Sequence, residues 1–151
     1  MQIKNKIIIY FAYLTALLLT FSLNLHADEF DIFASEISID KINNIVIGKG
    51  SVEVKDNQGK VIKADKVIYN KTKEFLTIEE SVQIFDTEGN VLITDKATYD
   101  KINEKIVTYK NSELETKEGY KIVSNKIFYD ISERIISSNQ NSVLTDIDGN
   151  K

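Results

Sequence analysis

Residues 60–70 read KVIKADKVIYN and residues 75–85 read FLTIEESVQIF, with the short polar segment 71–74 between them. Both runs are rich in Val, Ile, Tyr and Thr, whose branched or flat side chains suit a pleated, half-buried surface. In the second run Leu76, Ile78, Val82 and Ile84 share one strand parity, while Thr77, Glu79, Ser81 and Gln83 take the other. A strand changes face at every residue and a helix does not, so this pattern predicts a strand with one face buried. The segments 70–74 and 86–90 have the composition of tight turns, with Gly89 able to supply a positive φ. The stretch therefore predicts an antiparallel hairpin.

That hairpin is repeated. Gly59, Gly89, Gly119 and Gly149 stand 30 residues apart. In the same frame Ile39, Tyr69, Tyr99 and Tyr129 recur, as do Val46, Leu76, Ile106 and Ile136, and Val54, Ile84, Leu114 and Leu144. Ile32, Ile62, Leu92 and Ile122 form another aliphatic column, and Ser35, Asp65, Asp95 and Asn125 a polar one. From Ile32 to Lys151 is 120 residues, four periods of 30 without an insertion. Self-similarity at such a period is the mark of a stacked repeat architecture, each unit burying its apolar face against the next.

The first strand of each period resists strict alternation, because Ile62 and Val67 are five apart and both columns are aliphatic. This predicts a β-bulge or bend near Ala64-Asp65-Lys66, with equivalents at Ala34 to Glu36, Thr94 to Lys96 and Ser124 to Lys126. About eight long antiparallel strands with regular turns predict an all-β chain. Its form is an antiparallel β-jellyroll or open twisted sandwich, built from four two-strand repeats whose ends do not close.

Composition excludes several functions. The 151 residues hold no Cys, no Pro and one His, at position 26, so disulfides, zinc fingers, Cys nucleophiles and Ser-His-Asp triads are ruled out. With 19 basic and 23 acidic residues the net charge is -4, the wrong sign for neutralising a phosphate backbone, and no nucleic-acid partner is expected. No cofactor, metal or catalytic residue is expected, and an enzyme is the least supported class.

Residues 1–27 are sequence of another kind. Lys4 and Lys6 precede an apolar run from Ile7 to Leu25, and the stretch ends at Ala27 before Asp28-Glu29. This predicts an N-terminal signal helix at 1–27, cleaved after Ala27, with a repeat domain at 28–151. The alternative is an uncleaved anchor, since about 20 apolar residues span a bilayer. Removing the segment takes two lysines with it and leaves 17 - 23 = -6.

Gly50-Ser-Val-Glu-Val54, then Gly59, then residues 64–70 (ADKVIYN), resembles the cadence of the OstA-like family. That family includes the periplasmic lipopolysaccharide-transport protein LptA and the amino-terminal domain of the outer-membrane translocon LptD. The cadence returns as Ser81-Val82, Gly89 and TDKATYD at 94–100, and more weakly as Asn111-Ser112, Gly119 and SNKIFYD at 124–130. Ile39 departs from it in the first copy and Asn125 in the last. The resemblance implies a non-catalytic periplasmic protein whose apolar interior holds lipopolysaccharide acyl chains while the sugars stay in water. It also implies partners: lipopolysaccharide, other OstA-like jellyroll domains joined by edge-strand pairing, and inner- and outer-membrane transport components. In a longer translocon chain the location would be the outer membrane. Lys151 falls one residue into what the period predicts as a further strand, a place suited to continuation, and the sequence leaves open a complete protein or a fragment of a longer one.

On this reading the lipid-groove candidates are Val46, Val54, Val67, Leu76, Val82, Ile84, Ala97, Ile106, Leu114, Ile127, Ile136 and Leu144. Tyr69, Tyr99 and Tyr129 are candidates for headgroup contact or for packing. The sequence leaves open whether the aliphatic columns form a groove or a closed, dry core. The alternatives are accordingly a structural or adhesive exported β-repeat module, and an LptC-like membrane-anchored component. Asp146 to Asn150 superficially matches the start of a calcium loop. The same frame gives Gly-containing segments at 56–59 and 86–89, so a hairpin turn is expected there. Glu79-Glu80 and Asp28-Glu29 are adjacent pairs that point to opposite faces of a strand and cannot flank one glycosidic bond.

Overall fold

The computed structural model describes residues 30–151. The expected signal segment, its cut after Ala27 and the Asp28-Glu29 pair lie outside the described residues. Twelve strands follow in order: β1 (Asp31–Phe33), β2 (Glu36–Asp40), β3 (Ile45–Lys55), β4 (Val61–Asn70), β5 (Phe75–Phe85), β6 (Val91–Asp100), β7 (Lys105–Tyr109), β8 (Ser112–Glu115), β9 (Lys121–Ser124), β10 (Phe128–Asp130), β11 (Ile135–Ser137) and β12 (Ser142–Thr145). They form one antiparallel sheet that does not close on itself.

Each long strand contributes to two arms that meet at a bend. One arm runs β2, β3, β4, β5, β6, β7, β10, β11, using residues 45–49, 66–70, 75–79 and 96–100 of the long strands. The other runs β1, β3, β4, β5, β6, β8, β9, β12, using 52–55, 61–64, 82–85 and 91–94. The buried faces of both arms share a single apolar cluster, so the arms lie over one another as the two layers of a flattened sandwich.

The bend falls at the expected height, but the extra residue sits on the other strand. On β4 the buried parity does switch, from Ile62 and Ala64 to Val67 and Tyr69. The register shifts place two residues of β3, Gly50 and Ser51, against one of β4, and likewise Glu80 and Ser81 of β5 against Asp95 of β6. All four have a positive φ, between 50° and 73°. A left-handed pair kinks its own strand, and the neighbours bend to follow.

The same pair recurs at Lys110 and Asn111, with φ of 63° and 45°, and there it separates β7 from β8. From that point the expected long strands are halved into β7 to β12, as the first is into β1 and β2, leaving four long strands and eight short ones. A change of chemistry accompanies the split. The positions of Ala64 and Val82 become Thr94 and Ser112 one period on, then Ser124 and Ser142. Thr94 Oγ1 donates to the Lys110 carbonyl at 2.8 Å and lies 3.1 Å from Ser112 Oγ. Thr108 Oγ1 accepts the Ile127 N–H at 2.9 Å. Hydroxyls thus satisfy backbone groups that a regular ladder would have paired.

Two rows of turns close the arms. In one row Asp56 Oδ1 accepts the N–H groups of Gln58 and Lys60 at 3.0 and 2.8 Å, Gly59 takes φ of 95°, and Asp86 and Asp146 repeat the arrangement. The segment 146–150 is one of these turns, its Asp146 oxygens occupied by Asp148 and Asn150. In the other row glycine plays no part: Asn44, Glu74, Glu104 and Arg134 take the positive φ themselves. Asp40, Asn70, Asp100 and Asp130 brace these turns by accepting the N–H three residues on.

Candidate functional site

The interior between the arms is the feature the fold builds. Leu76 and Ile78 project inward from one half of β5, Val82 and Ile84 from the other. Of the expected groove positions, Val54, Val67, Leu76, Val82, Ala97, Leu114 and Ile127 are fully enclosed, and Val46, Ile84 and Ile106 nearly so. Ile136 is half-buried, packed against the same cluster, and Leu144 is 53% exposed. The interior is therefore covered along the long strands and uncovered toward β11 and β12. There a depression of about 540 Å³ is lined by Val143, Leu144, Asp146 and Asn150.

Val52, Ile62, Ile78 and Leu92 are equally buried but were not among the expected groove positions. Ile62 and Leu92 belong to a column already visible in the repeat. Ile78 escapes notice because its equivalents are Gly48, Thr108 and Ser138, and Val52 because its equivalents after Val82 are Ser112 and Ser142.

The tyrosines of the repeat lie where the arms meet at their tips. Phe30 stands edge-on to Tyr69, ring centroids 5.0 Å apart. Lys60 donates to Tyr99 Oη at 2.8 Å and to Asp56 Oδ2 at 3.0 Å, and its ammonium lies 4.7 Å from the Tyr99 ring centre. Tyr129 Oη donates to Asp86 Oδ2 at 2.6 Å and accepts from Asn90 Nδ2 at 3.2 Å. Each pair joins the residue after a turn glycine, or its equivalent Phe30, to the tyrosine 39 positions on. Single-column reading misses this clasp because positions 30, 60 and 90 hold Phe, Lys and Asn. The signal available was the fixed offset, with an acid four residues before Lys60 and Asn90.

Electrostatics at the clasps follow from burial and bonding. Burial alone disfavours the Lys60 ammonium, but the bonds to Tyr99 and Asp56 outweigh it and raise its pKa above the ordinary lysine value. Burial raises the Tyr99 phenol. Burial and the Asp86 carboxylate push Tyr129 far above the usual phenol range. Asp86 itself is held below the ordinary carboxylate value, because bonds from Tyr129 and Asn90 exceed the effect of burial.

Outside, charged side chains form ladders. Glu79 lies between Lys66 and Lys96, each ammonium 2.8 Å from one of its oxygens. Lys126 stands 5.2 and 4.9 Å from the ring centres of Tyr109 and Phe128. Among the described residues no group of three or more His, Cys, Asp or Glu side chains is placed to hold a metal ion.

No family model matches the sequence, and no curated protein matches it. Among solved structures the chain is similar to the crystal structure of LptH, the LptA-homologous periplasmic component of the lipopolysaccharide transport device of Pseudomonas aeruginosa. The two share 14% identity at a TM-score of 0.69, over 78% of this chain and 94% of that one. At that identity the likeness is one of fold, and the fold is the open jellyroll that the OstA-like resemblance implied.

Proposed function

We propose that this chain is an exported, non-catalytic carrier of lipopolysaccharide acyl chains that works in the periplasm as part of a bridge between membranes. The observation that carries the reading is the continuous apolar interior between two arms of an unclosed sheet, uncovered at the β11 and β12 end. Each methylene withdrawn from water is worth roughly 0.8 kcal/mol, so a multi-acyl lipid crosses an aqueous space only when shielded. Stacked aliphatic columns give shielding without chemical selection among chains. The likeness in fold to a periplasmic transport component supports the same reading. Among the described residues β1, β2, β11 and β12 each pair on one side, which offers a route to pairing with further jellyroll domains, and inner- and outer-membrane transport components are the partners such a bridge would meet.

A second reading, a structural repeat module with a dry core, is favoured by one observation: Val67, Leu76, Ile78, Val82 and Leu114 are each 0% exposed. Photo-crosslinkable residues placed at positions 76 and 84 separate the two. A carrier incubated with lipopolysaccharide forms lipid adducts at both positions, in competition with unlabelled lipopolysaccharide. A protein that yields none, while folding normally, is a scaffold.

A further inference from the structure

The interior and the clasps pose a problem that the carrier reading, on which this inference rests, must solve. Along β3 to β6 the inward side chains cover one another, leaving the acyl chain of an amphiphile no lodging while the arms stay together. The arms are joined along one side by the backbone of the long strands, with left-handed pairs at Gly50-Ser51 and Glu80-Ser81 marking the bend. On the opposite side, among the described residues, the tips are connected through side chains. The connections include the bonds from Lys60 to Tyr99 and between Tyr129 and the Asp86–Asn90 turn. An exposed ion pair between Arg134 and Glu88 at 2.7 Å adds to the second of these. A sandwich continuous at one side and side-chain-bonded at the other has the connectivity of a hinge.

We propose that the tip clasps are latches, and that uptake of an amphiphile requires the turn at Asp86–Asn90 to part from Tyr129 and Arg134, the left-handed pairs serving as the hinge. The bonds suit a reversible latch. They are polar, so water can replace each partner when the tips separate, and the rings of Tyr99 and Tyr129 uncovered at the same time belong to the apolar cluster, where an entering acyl chain takes over their cover. At the first clasp the contact is instead between rings, Phe30 standing edge-on to Tyr69 and to Tyr99.

Because the chain has no cysteine, the latch can be tied at will. In the double variant Glu88→Cys, Arg134→Cys the two thiols stand on opposite arms, outside the interior. Bridging them with a short bismaleimide ties the tips, whereas capping them with N-ethylmaleimide leaves the tips free. A second pair, Glu88→Cys with Lys117→Cys, bridges two turns of the same arm and controls for the chemistry. The readout is binding of fluorescent lipopolysaccharide, with circular dichroism showing that each form is folded. Bridged 88/134 protein should bind about tenfold or more weakly than capped protein, since the binding-competent form is withdrawn, while bridged 88/117 protein should bind as its capped form does. Tyr129→Phe should bind faster than the unaltered chain. Equal binding by bridged and capped 88/134 protein overturns the latch and leaves the carrier reading standing. Failure of the unaltered chain to bind at all removes the carrier reading, and the latch with it.

Discussion

Glu79 accepts one hydrogen bond from Lys66 and one from Lys96, directly across the strand on either side, and these hold its carboxyl down to about 2 from 4.5. A group whose pKa is lower folded than unfolded stabilises the fold above its unfolded value and loses that contribution as pH falls through the folded one. Glu79 therefore stabilises the sheet at neutral pH and ceases to do so between roughly pH 4.5 and 2. In urea unfolding, Glu79→Gln should be less stable than the unaltered chain at pH 6 to 7, with the gap narrowing to nothing near pH 2. A gap independent of pH would mean that packing rather than charge explains the effect. Salt should reduce the gap only partly, because each lysine makes a direct bond at 2.8 Å.

The strands of the second and third repeats were legible because their aliphatic residues keep register with a 30-residue period, and period and parity together fix which face is inside. The bend was legible too, from the parity clash between Ile62 and Val67, but not the strand that carries the extra residue. That depends on which chain adopts left-handed φ, and Glu80-Ser81 has no glycine to announce it. Nor did glycine mark the turns at Glu74 and Glu104, where an Asx brace does the work. The halving of the later strands was written in the exchange of Ala64 for Thr94 and Val82 for Ser112, which an aliphatic-column search passes over. These hydroxyls are a structural requirement with a measurable size. Thr94→Val keeps the shape but leaves the Lys110 carbonyl without its 2.8 Å partner, and should destabilise by about 1–3 kcal/mol in chemical denaturation. A neutral or stabilising substitution there would show that water reaches the bend and replaces the hydroxyl.

A molecule made of one repeated hairpin has each unit touching only its neighbours, so its stability is distributed along the chain rather than concentrated in one centre. The units are unequal in what they bury. Leu76 at the second position of its column is 0% exposed, while Ile136 in the same column two repeats later is only half-buried, and Leu144 is 53% exposed. Hydrogen bonding shows the same gradient: β3 to β6 are paired on both sides along nearly their whole length, whereas β11 and β12 each pair on one side. Leu76→Ala should then cost about 2–5 kcal/mol, the usual range for a cavity in a packed interior. Leu144→Ala should cost no more than about 0.5 kcal/mol. Amide exchange should order the strands accordingly, with β9, β11 and β12 exchanging well before β4 and β5, through openings that leave the long strands intact. If all twelve strands exchange together, the sheet opens as one unit, and the uncovered end could not act independently of the rest. The ordered result would instead place the loosest apolar surface toward β11 and β12, where the interior is least covered.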